Sequence, residues 1–142
     1  MSDENVETVR SIYEAFNRRD WDAAFRDQHP DVELTTPPGG PRSGTYRGRL
    51  ECQRYLQEWL TPFEASTVEP EELFESGDQV AVVLKVQARP KGSSAEIEIR
   101  IGQLWAFRDG KALSLRIFPE PEKALEAAGL GNRQTPGQTR YG

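Results

Sequence analysis

The side chains in this chain that could do chemistry are few, and the most informative is an amide. In "IEIRIGQLWAFRDGK", every second residue from Ile97 gives Ile99, Ile101, Gln103, Trp105 and Phe107, one strand face that is apolar except at Gln103. Gln103 can donate a hydrogen bond to a carbonyl oxygen, but it cannot titrate. On the opposite face of the same strand stand Glu98 and Arg100, a pair that reads as a surface or dimer-face salt bridge. A bulge at Gly102 would change which face they occupy, and that alternative stays open. His29 is the only histidine, so it alone has an unperturbed pKa suited to proton transfer near neutrality. Its setting, "QHPDVE", reads as a helix-ending turn with a structural role. One His, one Cys and no spaced acidic cluster do not make a ligand set, so no metal or cofactor is expected. The glycine-rich "PPGGPRSG" lacks the lysine of a phosphate-cradling loop.

The elements that must position these groups belong to one domain. A chain of 142 residues with 36% apolar side chains can bury one core and hollow it into a pocket. Its net charge of -5 sets any nucleic-acid-binding face against the overall field, so no nucleic-acid partner is expected. The lone Cys52 excludes an internal disulfide. The acidic start "MSDENVET" and the lack of a long apolar run imply no secretory signal, no membrane span and a cytoplasmic setting.

Val6, Val9, Ile12, Tyr13 and Phe16 carry the three-and-four spacing of a helix on a core, with Ser2 and Asp3 able to cap its start. Asp20 caps a short second helix with Trp21, Ala24 and Phe25 on one side, which ends by His29-Pro30. "VELTTP" alternates as a strand, followed by a loop from Arg42 to Gly48. Cys52, Tyr55, Leu56, Trp59, Leu60 and Phe63 mark a third helix. Four strands follow: Ser66 to Glu75, with a bulge or edge at Pro70; "QVAVVLKVQA"; the stretch from Ile97; and "ALSLRIF". Pro121 and Gly129 bracket a last short helix. Residues 1–130 are read as the domain and 131–142 as a flexible tail. Consecutive strands joined by tight turns form a mostly antiparallel sheet, and the N-terminal helices must cover its concave face, leaving a tapering space between.

Four blocks in order resemble a known superfamily: "VRSIYEAFNRRDWDAAFRDQHPDVEL", the "YRG" before the third helix, "WAFRDGK" and "FPEPEKALEAAGL". The chain is similar to nuclear transport factor 2-like proteins, in the SnoaL-like branch that includes relatives of ketosteroid isomerase and limonene epoxide hydrolase. The resemblance implies an α+β cone with an internal pocket and a homodimer through the outer sheet face. It leaves activity open, because the same fold serves many chemistries.

The residues depart from each of the family's catalytic patterns. Ketosteroid isomerase places a carboxylate base at the end of the first strand; Thr36 stands at that position here and has no useful basicity. Its oxyanion side uses a first-helix tyrosine and a protonated aspartic acid on the long strand. Those positions fall nearest Ile12, with Tyr13 one residue away and rotated about a quarter turn, and at Gln103. An epoxide-hydrolase site would need two acids bridged by an arginine, for which only Glu98, Arg100 or His29 offer material. A SnoaL-type cyclase would need an aspartic acid on the last strands, where "ALSLRIFPE" has no carboxylate before Glu120.

What remains is a pocket expected from Phe16, Thr36, Tyr55, Trp59, Gln103 and Trp105, apolar with a few polar handles. It suits a small hydrophobic metabolite bearing a carbonyl or hydroxyl, steroid- or polyketide-like by the resemblance. Any catalysis would draw on Gln103, Tyr55, Tyr13 or His29, and whether there is catalysis is left open. The alternatives are a non-catalytic dimerisation or docking module and, with less support, an epoxide hydrolase-like enzyme. A pocket above about 300 Å³ favours a ligand; a packed interior favours the module.

Overall fold

The computed structural model describes residues 2–40 and 42–130. The expected tail, 131–142, and the side chains of Ser2 and Asp3 lie outside the described residues. The order is α1 (Ser2–Arg18), α2 (Trp21–Arg26), β1 (Gln28–Thr35), β2 (Thr45–Arg47), α3 (Arg49–Leu60), β3 (Phe63–Ser76), β4 (Gln79–Pro90), β5 (Ile97–Arg108), β6 (Lys111–Phe118) and α4 (Pro121–Ala127). The strands form one curved sheet in the order β2-β1-β6-β5-β4-β3. Every neighbouring pair is antiparallel except β1 and β6.

α1 lies on the concave face because its apolar stripe, Val9, Ile12, Tyr13 and Phe16, is buried there against Val80, Val82 and Trp105. It ends without glycine: Arg19 takes φ 60, a left-handed conformation that costs a side-chain-bearing residue about 1–2 kcal/mol. The Arg19 guanidinium offsets this by donating to the Phe16 and Ser66 carbonyls at 2.8 and 2.9 Å. Asp20 then caps α2, its carboxylate accepting from the Ala23 N–H at 3.1 Å.

Three local readings are corrected. Phe63, read as part of the third helix, opens β3 after α3 ends at Leu60. α2 stops at Arg26, and His29-Pro30 belongs to β1 rather than to a helix-ending turn. β2 pairs with β1 only over Glu33 to Thr35, so the missing Pro30 N–H leaves no β2 bond unmade. The expected loop from Arg42 to Gly48 contains β2, a three-residue strand. At Pro70, β3 is both an edge strand and bulged, with its register against β4 shifting between Pro70 and Glu72.

The face question at β5 is decided by its pairing. β4 and β5 run without a register shift from Gln79↔Ala106 to Ala88↔Ile97. Side chains therefore alternate strictly: Ile101, Gln103 and Trp105 point into the cone, while Glu98, Arg100, Gly102 and Leu104 face outward. Gly102 marks no bulge. It is the spot where α4 crosses the outer face: a Cβ there would lie 2.8 Å from Ala124 Cβ and 2.9 Å from Pro121 Cα. Leu104, Ala81 and Ala128 form a second, smaller core under that helix.

Candidate functional site

Between α1, α2, α3 and the concave face the cone encloses a cavity of about 120 Å³. Phe16, Tyr55, Trp59, Gln103 and Trp105 line it, as do Tyr13 and Gln28. Apolar side chains such as Val32, Leu84 and Ile117 make up most of the remainder, and no carboxylate is among the described lining residues.

At its centre is a buried hydrogen-bonded chain. The Trp105 Nε1–H donates to the Tyr13 hydroxyl oxygen at 2.9 Å, and the Tyr13 O–H donates to Gln103 Oε1 at 2.6 Å. The indole is donor-only, so the phenol must accept from it and spend its own proton elsewhere. That fixes the amide: Oε1 faces Tyr13, and Nε2 makes no hydrogen bond to protein among the described residues. The Tyr13 and Trp105 rings meet edge to face at 6.1 Å, which holds both in place. Burial pushes the Tyr13 phenol well above its ordinary pKa, only partly opposed by the Trp105 hydrogen bond, so it stays protonated and serves as a donor.

The sequence places Tyr13 one residue from the family's tyrosine position and about a quarter turn around the helix from it. The helix is embedded deeply enough that Ile12 and Tyr13 are both buried and both line the cavity. A phenol is also long enough to reach β5 from the side of the stripe. Thr36 moves the other way. It is buried, but it lines no part of the cavity, and its Oγ1 accepts from the Gly44 N–H at 2.9 Å and lies 3.3 Å from the Arg42 and Gly44 carbonyls. It closes the 37–44 loop. Its hydroxyl is consumed by backbone groups that no strand pairs.

Tyr55 and Trp59, on successive turns of α3, stand at the half-buried side. Tyr55 packs against Tyr46 with tilted rings, centroids 4.7 Å apart, and Trp59 against Phe63 likewise at 5.5 Å. Burial raises the Tyr55 pKa. His29 does not reach the cavity; its Nδ1 accepts from the Asp31 N–H at 2.9 Å. Glu98 and Arg100 are exposed on the outer face, where Arg100 forks onto Glu71 at 2.9 Å and reaches Glu98 at 2.8 Å. None of these three can act on a molecule in the cone, and the hydrolase reading has no residues there.

Two lining groups with heteroatoms in their side chains were missed by sequence reasoning. Cys52 is buried with its thiol directed at the Tyr46 carbonyl at 3.5 Å, and burial pushes its pKa up to about 11, so it is a neutral wall. Gln28 is 6% exposed and held at both ends. Its Nε2 donates to the Ala24 carbonyl at 2.8 Å, and its main-chain carbonyl accepts from the Arg49 guanidinium. Periodicity could not find it, because "RDQHP" reads as a helix end. Gln28 is the first residue of β1, and no local pattern marks it.

The comparisons with known proteins agree with this geometry. A family model described as the SnoaL-like domain matches residues 9–115. No curated protein matches the chain. Among solved structures, TerC co-crystallised with polyporic acid is 25% identical, with a TM-score of 0.75 over 89% of this chain and 98% of that one. A nuclear transport factor 2-like protein of unknown function from Burkholderia pseudomallei is 26% identical, with a TM-score of 0.75 over 89% and 97%. A protein of ketosteroid isomerase-like fold from Catenulispora acidiphila, in complex with trimethylamine, shares the fold at 18% identity, with a TM-score of 0.70 over 92% and 98%. With the matched residues spanning α1 to β6 and the cone built as described, the chain belongs to the SnoaL-like domain family.

Proposed function

We propose that this protein binds one ring of a small apolar, carbonyl-bearing molecule inside the cone and polarises its carbonyl oxygen through Gln103 Nε2. The observation that carries the reading is the unpaired amide N–H of a 92%-buried glutamine whose other end is fixed by Tyr13, in a cavity otherwise almost wholly apolar. That N–H is not sealed in protein, so a ligand oxygen can reach it, and a ligand that fills the cavity without pairing it would leave it unsatisfied at a cost of about 1–3 kcal/mol. Size sets the ligand: apolar cavities of about 150 Å³ take up benzene, and this one measures about 120 Å³. A polyketide- or steroid-like molecule would place one ring inside and the rest at the mouth beside Tyr55 and Trp59. The co-crystal of TerC with polyporic acid favours a small organic ligand for this chain as well.

Any catalysis consists of positioning and hydrogen-bond polarisation, because the described lining residues include no group with a pKa suited to shuttling a proton at neutrality. Native mass spectrometry of the purified protein, paired with the affinities of acetophenone and ethylbenzene, tests the reading. A retained ligand, or a preference of about tenfold for the ketone that Gln103→Leu abolishes, supports it. One observation favours a second reading, a non-catalytic module: the cavity is smaller than the roughly 300 Å³ usual for ligand sites. An empty mass spectrum together with no binding of either probe would select it.

A further inference from the structure

Resting on the binding reading above, we infer that Gln28 is a second, opposite-sense handle, so that the preferred ligand carries a hydroxyl donor at the end away from its carbonyl. Gln28 spends its N–H on the Ala24 carbonyl, which leaves Oε1 as an acceptor with no hydrogen bond to protein among the described residues. Two other buried side-chain atoms without partners, Ser66 Oγ and Glu75 Oε2, are sealed from any open space. Gln28 Oε1 is not sealed, and the residue lines the cavity. Its position is imposed from both sides: Ala24 at the end of α2 holds the amide, and Arg49 at the start of α3 holds the main chain.

The two glutamines address different ends of a ligand. Gln28 pairs with Ala112 on β6 and Gln103 with Ile117, so their backbones sit about 17 Å apart along that strand and, on strands two apart, about 10 Å across the sheet, a span that the two side chains shorten by reaching into the cavity. One end offers an N–H and the other a C=O, while the walls between are apolar. A ring with a carbonyl at one pole and a hydroxyl at the other satisfies both. A hydrocarbon satisfies neither, and a simple ketone leaves Gln28 Oε1 unpaired in a desolvated site. Such a mismatch between a built hydrogen-bonding site and a ligand lacking the group is what gives polar pockets their discrimination.

The test titrates the full chain with 4-hydroxyacetophenone, 4-methylacetophenone and ethylbenzene by isothermal calorimetry. The expected result is that the hydroxy-ketone binds about tenfold more tightly than the methyl-ketone. Gln28→Met should remove that difference, by weakening the hydroxy-ketone and by sparing the methyl-ketone the cost of an unpaired Gln28 Oε1. Equal affinities of the two ketones for the unmodified protein would overturn the inference, as would a preference that survives in a folded Gln28→Met. The ligand series on the unmodified protein decides the matter even if the variant does not fold. If the ketones bind better than ethylbenzene but equally to each other, only the role of Gln28 fails. If no probe binds, the pocket reading fails with it.

Discussion

β5 carries two polar clusters within four residues, one on each face, and they have opposite physical status. On the inner face Gln103 is neutral, 8% exposed and tied through Tyr13 to Trp105. On the outer face Arg100 is charged, exposed and forked between Glu71 and Glu98, which raise its pKa further. The outer cluster has the full charges and the stronger nominal bonds. Water solvates those charges whether or not they pair, so the pairing contributes little. The inner chain has no such substitute, because every member that loses its partner stays buried. On one strand, then, the visible charges are incidental and the silent amide defines the site.

The sharpest way to break this contrast is Tyr13→Phe. Removing one oxygen leaves both the Trp105 N–H and Gln103 Oε1 without their partner, and urea unfolding should show a loss of about 2–4 kcal/mol. A loss below about 0.5 kcal/mol would mean that the chain is not cooperative. Gly102→Ala should follow, at about 1–3 kcal/mol, because the new methyl meets Ala124 Cβ and the Pro121 backbone rather than a flexible side-chain tip. That variant loosens α4 on the outer face while leaving the Gln103 cavity intact, so ligand affinity should hold as stability falls.

A smaller effect concerns pH. The Cys52 thiol moves from 9.0 to about 11 on folding, because burial disfavours the thiolate. Above its unfolded pKa the unfolded chain holds fewer protons than the folded one, so the slope of unfolding free energy against pH is negative. The contribution is intact below about pH 9 and is lost as pH rises toward about 11. Tyr13, also raised by burial, extends the same decline to higher pH. Thermal midpoints measured across this range should fall, and Cys52→Ala should flatten the early part of the fall. The smallest effect is expected at Arg100→Ala: no resolvable change in the urea midpoint and no change in ligand affinity. A clear change in either would erase the distinction between the two faces.

Much of the fold was legible because it rests on periodicity. The alternating row from Ile97 placed Gln103 on the inner face, and the three-and-four spacing placed α1 and α3 against it. Pro70 marked a bulged edge for a reason local to its backbone, and the β5–β6 hairpin turns at Asp109 and Gly110, which both take positive φ. What the sequence hid are contacts that depend on depth and crossing. Tyr13 reaches Gln103 across 90 residues of chain because α1 is sunk far enough for two adjacent positions to face inward. Gly102 looked like a bulge because a strand glycine has that local meaning, and only the passage of α4 explains it. Thr36 looked like a pocket residue from its parity, but the loop after β1 consumes its hydroxyl. Gln28 was invisible because its role comes from α2 and α3 closing on either side of it.

The central claim is that the Gln103 amide N–H polarises a carbonyl held in the cone. Infrared spectroscopy of carbonyl-labelled acetophenone bound to the protein tests it most directly. The bound carbonyl band is expected below its frequency in hexane, as for an oxygen accepting a hydrogen bond, and should return toward the hexane value in Gln103→Leu. A bound band at the hexane frequency in the unmodified protein would contradict the account.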